Sequence, residues 1–169
     1  TFQNPQSDFA KHHPNNTQFE RIITTNTPPA RYDHSVVWDS ARSRFVMFGG
    51  FDENHRPLND LWEFNPANGT WSEVTVFQDR QRPMPRGGAS MIFFGGGAWE
   101  NQTVFNGHNE IVLFGGTDGN VNFGDTWVLD PDYPSELGLS ANPRWILASP
   151  HGEEGTGPPA RASSQKALS

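Results

Sequence analysis

Short apolar runs follow one another along the chain, each bounded by turn-forming residues. Ser35-Val36-Val37-Trp38 precedes a turn over 39–44, and Phe45-Val46-Met47-Phe48 ends in Gly49-Gly50. A polar loop over 51–57 leads to Asp60-Leu61-Trp62-Glu63-Phe64. Asn65-Pro66-Ala67-Asn68-Gly69 then turns the chain into Thr70-Trp71-Ser72-Glu73-Val74. Runs this short, rich in β-branched and aromatic residues and separated by turn chemistry, predict a four-stranded antiparallel meander. Almost nowhere do apolar residues recur at the i, i+3, i+4 spacing of an amphipathic helix.

The same order then returns. Strands are predicted over 89–94, 109–114, 125–130 and 144–147, the last containing Trp145. Phe114-Gly115-Gly116 repeats Phe48-Gly49-Gly50, and Gly124-Asp125-Thr126-Trp127 repeats Asn59-Asp60-Leu61-Trp62. Pro28-Pro29-Ala30-Arg31, Pro83-Met84-Pro85-Arg86 and Pro158-Pro159-Ala160-Arg161 mark three equivalent starting points. Upstream, Thr17-Gln18-Phe19-Glu20-Arg21-Ile22 matches 70–74, with Phe19 in the place of the tryptophan. The chain therefore divides into the last strand of a preceding unit (17–27), two whole units (28–82 and 83–157) and the start of a following one (158–169). Residues 1–16 match no part of the repeat and stay unassigned. Internal repetition of this kind decides the architecture, because one such unit cannot bury its apolar faces alone.

These motifs resemble kelch repeats. The resemblance rests on Phe-Gly-Gly closing the second strand, on the spacing of Phe64 and Trp71, and on Phe64-Asn65-Pro66 opening the turn between them. The Pro-Pro-Ala-Arg start and the Asp-Leu-Trp-Glu strand are most similar to the kelch repeats of bacterial and extracellular proteins. The resemblance covers 17–169, with one departure: in the second unit Leu129 replaces the aromatic, and a long stretch over 130–143 precedes Arg144-Trp145. It implies an all-β fold, a kelch-type β-propeller segment of four-stranded antiparallel blades. Propellers close with typically about four to eight blades, so two blades and two fragments make an incomplete ring. Exposed faces and raw edges then lead us to expect a larger polypeptide or assembly around it.

Composition narrows the chemistry. The 169 residues include 17 Gly, 14 Pro and 12% aromatics, which suits many short strands and tight turns. The net charge of −7, with acids and bases scattered, disfavours a nucleic-acid partner, and no apolar run is long enough for membrane insertion. Without cysteine there is no disulfide, Cys-ligated zinc or thiol chemistry. The six histidines lack the spacing of a zinc helix, and 118–122 lacks the closing Glu of a calcium loop, so no metal and no cofactor is expected. Absence of cysteine, the asparagine content and the style of repeat lean toward a place outside the cytoplasm. Three sequons, at Asn15, Asn68 and Asn101, matter only in a eukaryotic secretory source.

Most of the distinctive residues read as scaffold. Gly49, Gly50, Gly115 and Gly116 are followed by no helix pattern and no Gly-Lys-Ser/Thr, so they read as backbone crowding rather than a phosphate cradle. Arg31, Arg86 and Arg161 open first strands, and Asp60 and Asp125 open third strands, at the same end of the sheet. Each Asp is expected to pair with an Arg of its own or the adjacent blade. Trp38, Trp62, Trp71, Trp127 and Trp145 fall at repeat positions, where packing between blades is expected.

Function is sought where the repeat is broken. The long loops over 95–108 and 130–143 emerge on one face of the second blade, with Trp99, Phe105 and Tyr133 as candidate contacts for a partner. His55 and Arg56, on the polar loop of the first blade, join them. The leading expectation is a protein-binding or scaffolding module, its partner a protein, the remainder of the same propeller, or a glycan. The competing one is part of a propeller enzyme, resembling a sugar mutarotase or a copper radical oxidase. With no Cys and only Tyr32 and Tyr133, this segment cannot supply an oxidase centre alone. A mutarotase would draw on Arg31, Arg86, Asp52, Glu53 and His55.

Overall fold

A computed structural model describes residues 9–12, 19–76, 81–95, 109–132 and 143–149, with side chains from residue 22 onward. Among the described residues lie ten strands: β1 (Phe9–His12), β2 (Phe19–Ile22), β3 (Ser35–Asp39), β4 (Arg44–Phe51), β5 (Pro57–Asn65), β6 (Thr70–Glu73), β7 (Ser90–Phe94), β8 (Glu110–Phe114), β9 (Thr126–Asp130) and β10 (Arg144–Ser149). Among the described residues there is no helix, and hence none long and apolar enough to cross a membrane. The strands form a two-stranded sheet, β1-β2, and two four-stranded sheets, β3-β4-β5-β6 and β7-β8-β9-β10. Every pairing is antiparallel between sequence neighbours, so each four-stranded sheet is a meander and a propeller blade. Two blades do not close a ring.

Two features differ from the sequence reading. The segment before residue 17, unassigned by the repeat, contributes β1, which pairs with β2 in the register Phe9↔Ile22 to His12↔Phe19. No repeat motif marks β1, since strand pairing needs only backbone groups in register. In addition, β4 and β5 run past the expected strand ends, to Phe51 and from Pro57. A register shift between Phe48 and Gly50 absorbs one residue and lets the ladder continue beyond the glycines. The polar loop is therefore a tight turn over 52–56.

Side chains alternate between the two faces of a strand, and this sorts the core. Val46, Phe48 and Leu61 of the first blade meet Ile111, Leu113, Trp127, Leu129 and Trp145 of the second. The Phe48 and Trp145 rings meet edge-on, 5.3 Å between centroids. The other face of the first blade carries Met47, Trp62, Phe64 and Trp71, all buried. Trp38 does not join the core between the two four-stranded sheets. It is 40% exposed and rests on Phe45 of its own blade, ring centroids 4.8 Å apart. Its register with Phe45 turns it away from the second blade, whose neighbour on β3 is Val37.

Candidate functional site

The loops beside Arg31 and Arg86 are positioned by two equivalent ion-pair assemblies. Arg31 grips Asp60 through both terminal nitrogens, Nη1 to Oδ1 at 2.5 Å and Nη2 to Oδ2 at 2.8 Å, and Trp62 Nε1 donates to the same carboxylate at 2.7 Å. Arg86 repeats this on Asp125, at 2.5 and 2.9 Å, with Trp127 Nε1 donating at 2.7 Å. Each arginine also donates to the first-glycine carbonyl of its own blade, Gly49 or Gly115. Both pairs thus lie within a blade. The backbone of Arg86, however, belongs to the first blade: its N–H donates to Leu58 O and its carbonyl accepts from Gly50 N–H, both at 2.9 Å. One residue ties the two blades, through its main chain on one side and its side chain on the other.

Burial works to raise the pKa of Asp125, but hydrogen bonds from Arg86 and Trp127 outweigh it and hold the carboxyl below its ordinary value. The same opposition, with Arg31 and Trp62 as donors, lowers Asp60. His34 is lowered first by desolvation and then by the charge of Arg31.

The glycines permit this close approach. Gly50, at φ +97°, would place a Cβ 2.7 Å from the Tyr32 carbonyl, so only glycine fits. Gly87 stands where the first blade has Tyr32, and a Cβ there would run into the Phe51 ring. Phe51 is consequently wedged between blades, stacked on Tyr32 at 5.4 Å on one side and pressed on Gly87 on the other. The alignment of Arg31-Tyr32-Asp33 with Arg86-Gly87-Gly88 carried that signal, but it needs the partner ring to be read.

His55 and Arg56 lie on the turn above this wedge, and both are exposed. Asp52 shapes the turn by accepting the N–H groups of Asn54 and Arg56 through Oδ1, and it pairs with Arg56 Nε through Oδ2 at 2.9 Å. His55 adopts φ +59° and its Nδ1 bonds the Tyr32 hydroxyl at 2.5 Å. Tyr32 is 40% exposed, so Tyr32, His55 and Arg56 form one surface patch. In the second blade the corresponding turn over 117–122 exposes Val121 instead, and Asp118 Oδ1 accepts from Asn120 and Val121. Trp99, Phe105 and Tyr133, and the third arginine, Arg161, lie outside the described residues.

At the other ends of the strands an open groove of about 420 Å³ separates the blades. On its charged wall Arg42 binds Asp39 and Glu63, and Arg44 takes the second oxygen of Glu63, all within 2.7 Å. Of the charged residues that a mutarotase would draw on, Arg31, Arg86 and Asp52 are likewise engaged in ion pairs. Among the described residues no group of three or more His, Cys, Asp or Glu is placed to hold a metal.

A family model described as the KLHDC2/KLHL20/DRC7 Kelch-repeats domain matches residues 3–168. The chain belongs to this kelch-repeat family. Among its kelch relatives, the dynein regulatory complex subunit 7 of Chlamydomonas reinhardtii is 31% identical over 81 residues, 48% of this chain and 6% of that protein. Adagio-like protein 3 of Oryza sativa subsp. japonica is 27% identical over 115 residues, 67% of this chain and 16% of the relative. The flagellar outer-arm dynein alpha chain of Chlamydomonas reinhardtii is 27% identical over 117 residues, 69% of this chain and 2% of the relative. The kelch chain thus spans only a small part of the curated relatives that it matches.

Proposed function

We propose that this kelch segment is a protein-binding and scaffolding module within a larger protein or assembly, with the Tyr32–His55–Arg56 patch as its contact surface. The observation that carries this reading is the combination of exposed aromatic, imidazole and guanidinium groups with a braced support: the Tyr32 hydroxyl bond to His55, the Phe51 stack and the Asp52 turn. Tyrosine and arginine on a rigid backing are the residue types that dominate protein interfaces. Matching repeats in a dynein regulatory complex subunit and in a flagellar dynein chain support a role in assemblies. Nothing in these relatives favours a glycan ligand.

The non-enzymatic reading follows from the same residues, because the cations and acids near the loops neutralise one another. The test uses the full chain as bait, followed by titration of each purified captured protein against wild type and a Tyr32→Ala/His55→Ala/Arg56→Glu variant. Affinity should fall at least about tenfold for a patch-mediated partner. Equal binding by the variant refutes the patch. Sugar mutarotation in polarimetry, or bound copper, would instead favour the enzyme reading.

A further inference from the structure

The turn between β4 and β5 breaks the usual rule of hairpin chemistry at its most demanding position. His55 N–H donates to Asp52 O, and Asp52 N–H donates to Arg56 O, each at 3.0 Å. Residues 52–55 therefore form a β-turn, and His55 is the extra residue of a bulge that follows it. Such a bulge puts its extra residue in the left-handed region, where glycine is the standard occupant. Here the occupant is His55, at φ +59°. The corresponding turn of the second blade closes one residue earlier, with Asp118 N–H donating to Val121 O, and its left-handed residue is Gly119, at φ +97°.

Residues held in a disfavoured backbone conformation gather at binding sites, where the side chain is needed more than the relaxed backbone. The His55 side chain is exposed and braced. Its Nδ1 bonds the Tyr32 hydroxyl at 2.5 Å, and the two rings meet edge-on with centroids 5.8 Å apart. A phenol is a stronger donor than an imidazole N–H, and an imidazole nitrogen is a stronger acceptor than a phenol oxygen, so the stronger arrangement has the hydroxyl donating to Nδ1. The proton of the neutral ring then sits on Nε2 and makes that atom a donor. The charge of Arg56 is answered by Asp52, paired to its Nε at 2.9 Å, and Glu53 adds a second carboxylate to the turn. The turn therefore has no surplus positive charge with which to draw an anion.

We propose that His55 is the specificity-determining residue of the patch, its imidazole retained at a glycine position because Nε2–H donates to a carbonyl oxygen of the protein partner. This rests on the protein-binding reading of the patch and adds which atom reads the partner and which chemical group it reads. Tyr32 is a positioning residue here, since its hydroxyl fixes the tautomer of the ring.

Strain and tautomer are measured on the full chain alone. His55→Gly should have a higher urea midpoint than His55→Ala, the reverse of the usual order, and should at least match wild type. Ser43→Gly, which relieves the same backbone conformation (φ +52°) at the opposite end of β4, supplies a reference shift. Nitrogen-15 NMR of the neutral His55 ring should place the proton on Nε2 in wild type and show mixed tautomers in Tyr32→Phe. Binding is read with a captured protein whose affinity the triple variant lowers. His55→Asn, which tolerates the left-handed backbone but lacks the ring, should weaken it at least about fivefold. Ser43→Gly should leave it within about twofold. The loss with His55→Asn should persist at about 0.5 M NaCl, because an uncharged contact is not screened. The proposal is overturned if His55→Ala is as stable as His55→Gly, or if Nδ1 carries the proton in wild type. Wild-type affinity in His55→Asn, with the triple variant still weak, overturns it while leaving the patch in place. A loss that vanishes in salt points to a carboxylate and overturns the carbonyl. Full affinity in the triple variant strikes the patch itself, a separate failure.

Discussion

Replacing Arg86 with alanine should destabilise the protein far more than the same change at Arg31, although the two arginines make matching bonds. The Arg86 side chain is fully buried, and its partner Asp125 is 11% exposed. Truncation would leave that carboxylate with no cation and only the Trp127 indole and its own backbone N–H as donors, and the carbonyls of Gly115 and Met84 would lose the hydrogen bonds from Arg86. Removing one member of a buried ion pair costs about 3–5 kcal/mol. The guanidinium also lies 4.0 Å over the Phe123 ring, a contact worth about 0.5–2 kcal/mol. Asp60, the partner of Arg31, is 24% exposed, so water can solvate the orphaned carboxylate and the expected cost falls to about 1–3 kcal/mol. A gap of about 2 kcal/mol is large beside the typical domain total of about 5–15 kcal/mol. Urea unfolding followed by tryptophan emission measures both variants. Arg86→Met combined with Asp125→Leu should recover at least half of the loss, because no charge is then left unpaired. The reasoning fails if Arg86→Ala costs less than about 1 kcal/mol, or no more than Arg31→Ala.

Other consequences are as direct. Asp60 and Asp125 are held below their ordinary 3.8, so their stabilisation is full above that value and is lost as pH falls through the lower folded values. Asp125→Asn should flatten that part of a urea-midpoint profile. His34 is also lowered, from 6.5, so stability declines as pH drops below 6.5 toward its folded value, and His34→Gln should remove this shallower limb. Gly87→Ala drives a methyl into the Phe51 ring and should cost about 1–3 kcal/mol, relieved when Phe51→Leu is added, as thermal melts would show. Trp145→Ala, at 3% exposure, should cost about 3–5 kcal/mol, whereas Trp38→Ala should cost under about 1.5 kcal/mol, both read by urea unfolding.

Much of the blade was legible from residues alone, because its signals are local. Glycine pairs, turn residues and alternating apolar runs act within a few positions, and their recurrence set the strand order of both complete blades. The strand Phe9–His12 escaped because a short strand completed by pairing needs no motif. Extension of β4 and β5 past the glycines escaped because a register shift depends on how two strands meet. The candidate patch was only half visible. His55 and Arg56 stand out as polar loop residues, but Tyr32 joins them only through a hydroxyl bond across 23 positions in the chain.

What the sequence determined by itself was therefore the unit: four strands, a Phe-Gly-Gly close, an arginine at the start of each first strand and an aspartate at the start of each third. Tertiary structure decided how units are joined. Arg86 bonds one blade through its main chain and the other through its side chain. Phe51 fills the space left by Gly87, and Trp38, though at a repeat position, faces away from the second blade. The physical reason is range. Turn and strand preferences are written in neighbouring residues, whereas burial and charge pairing depend on distant groups that only the fold brings together.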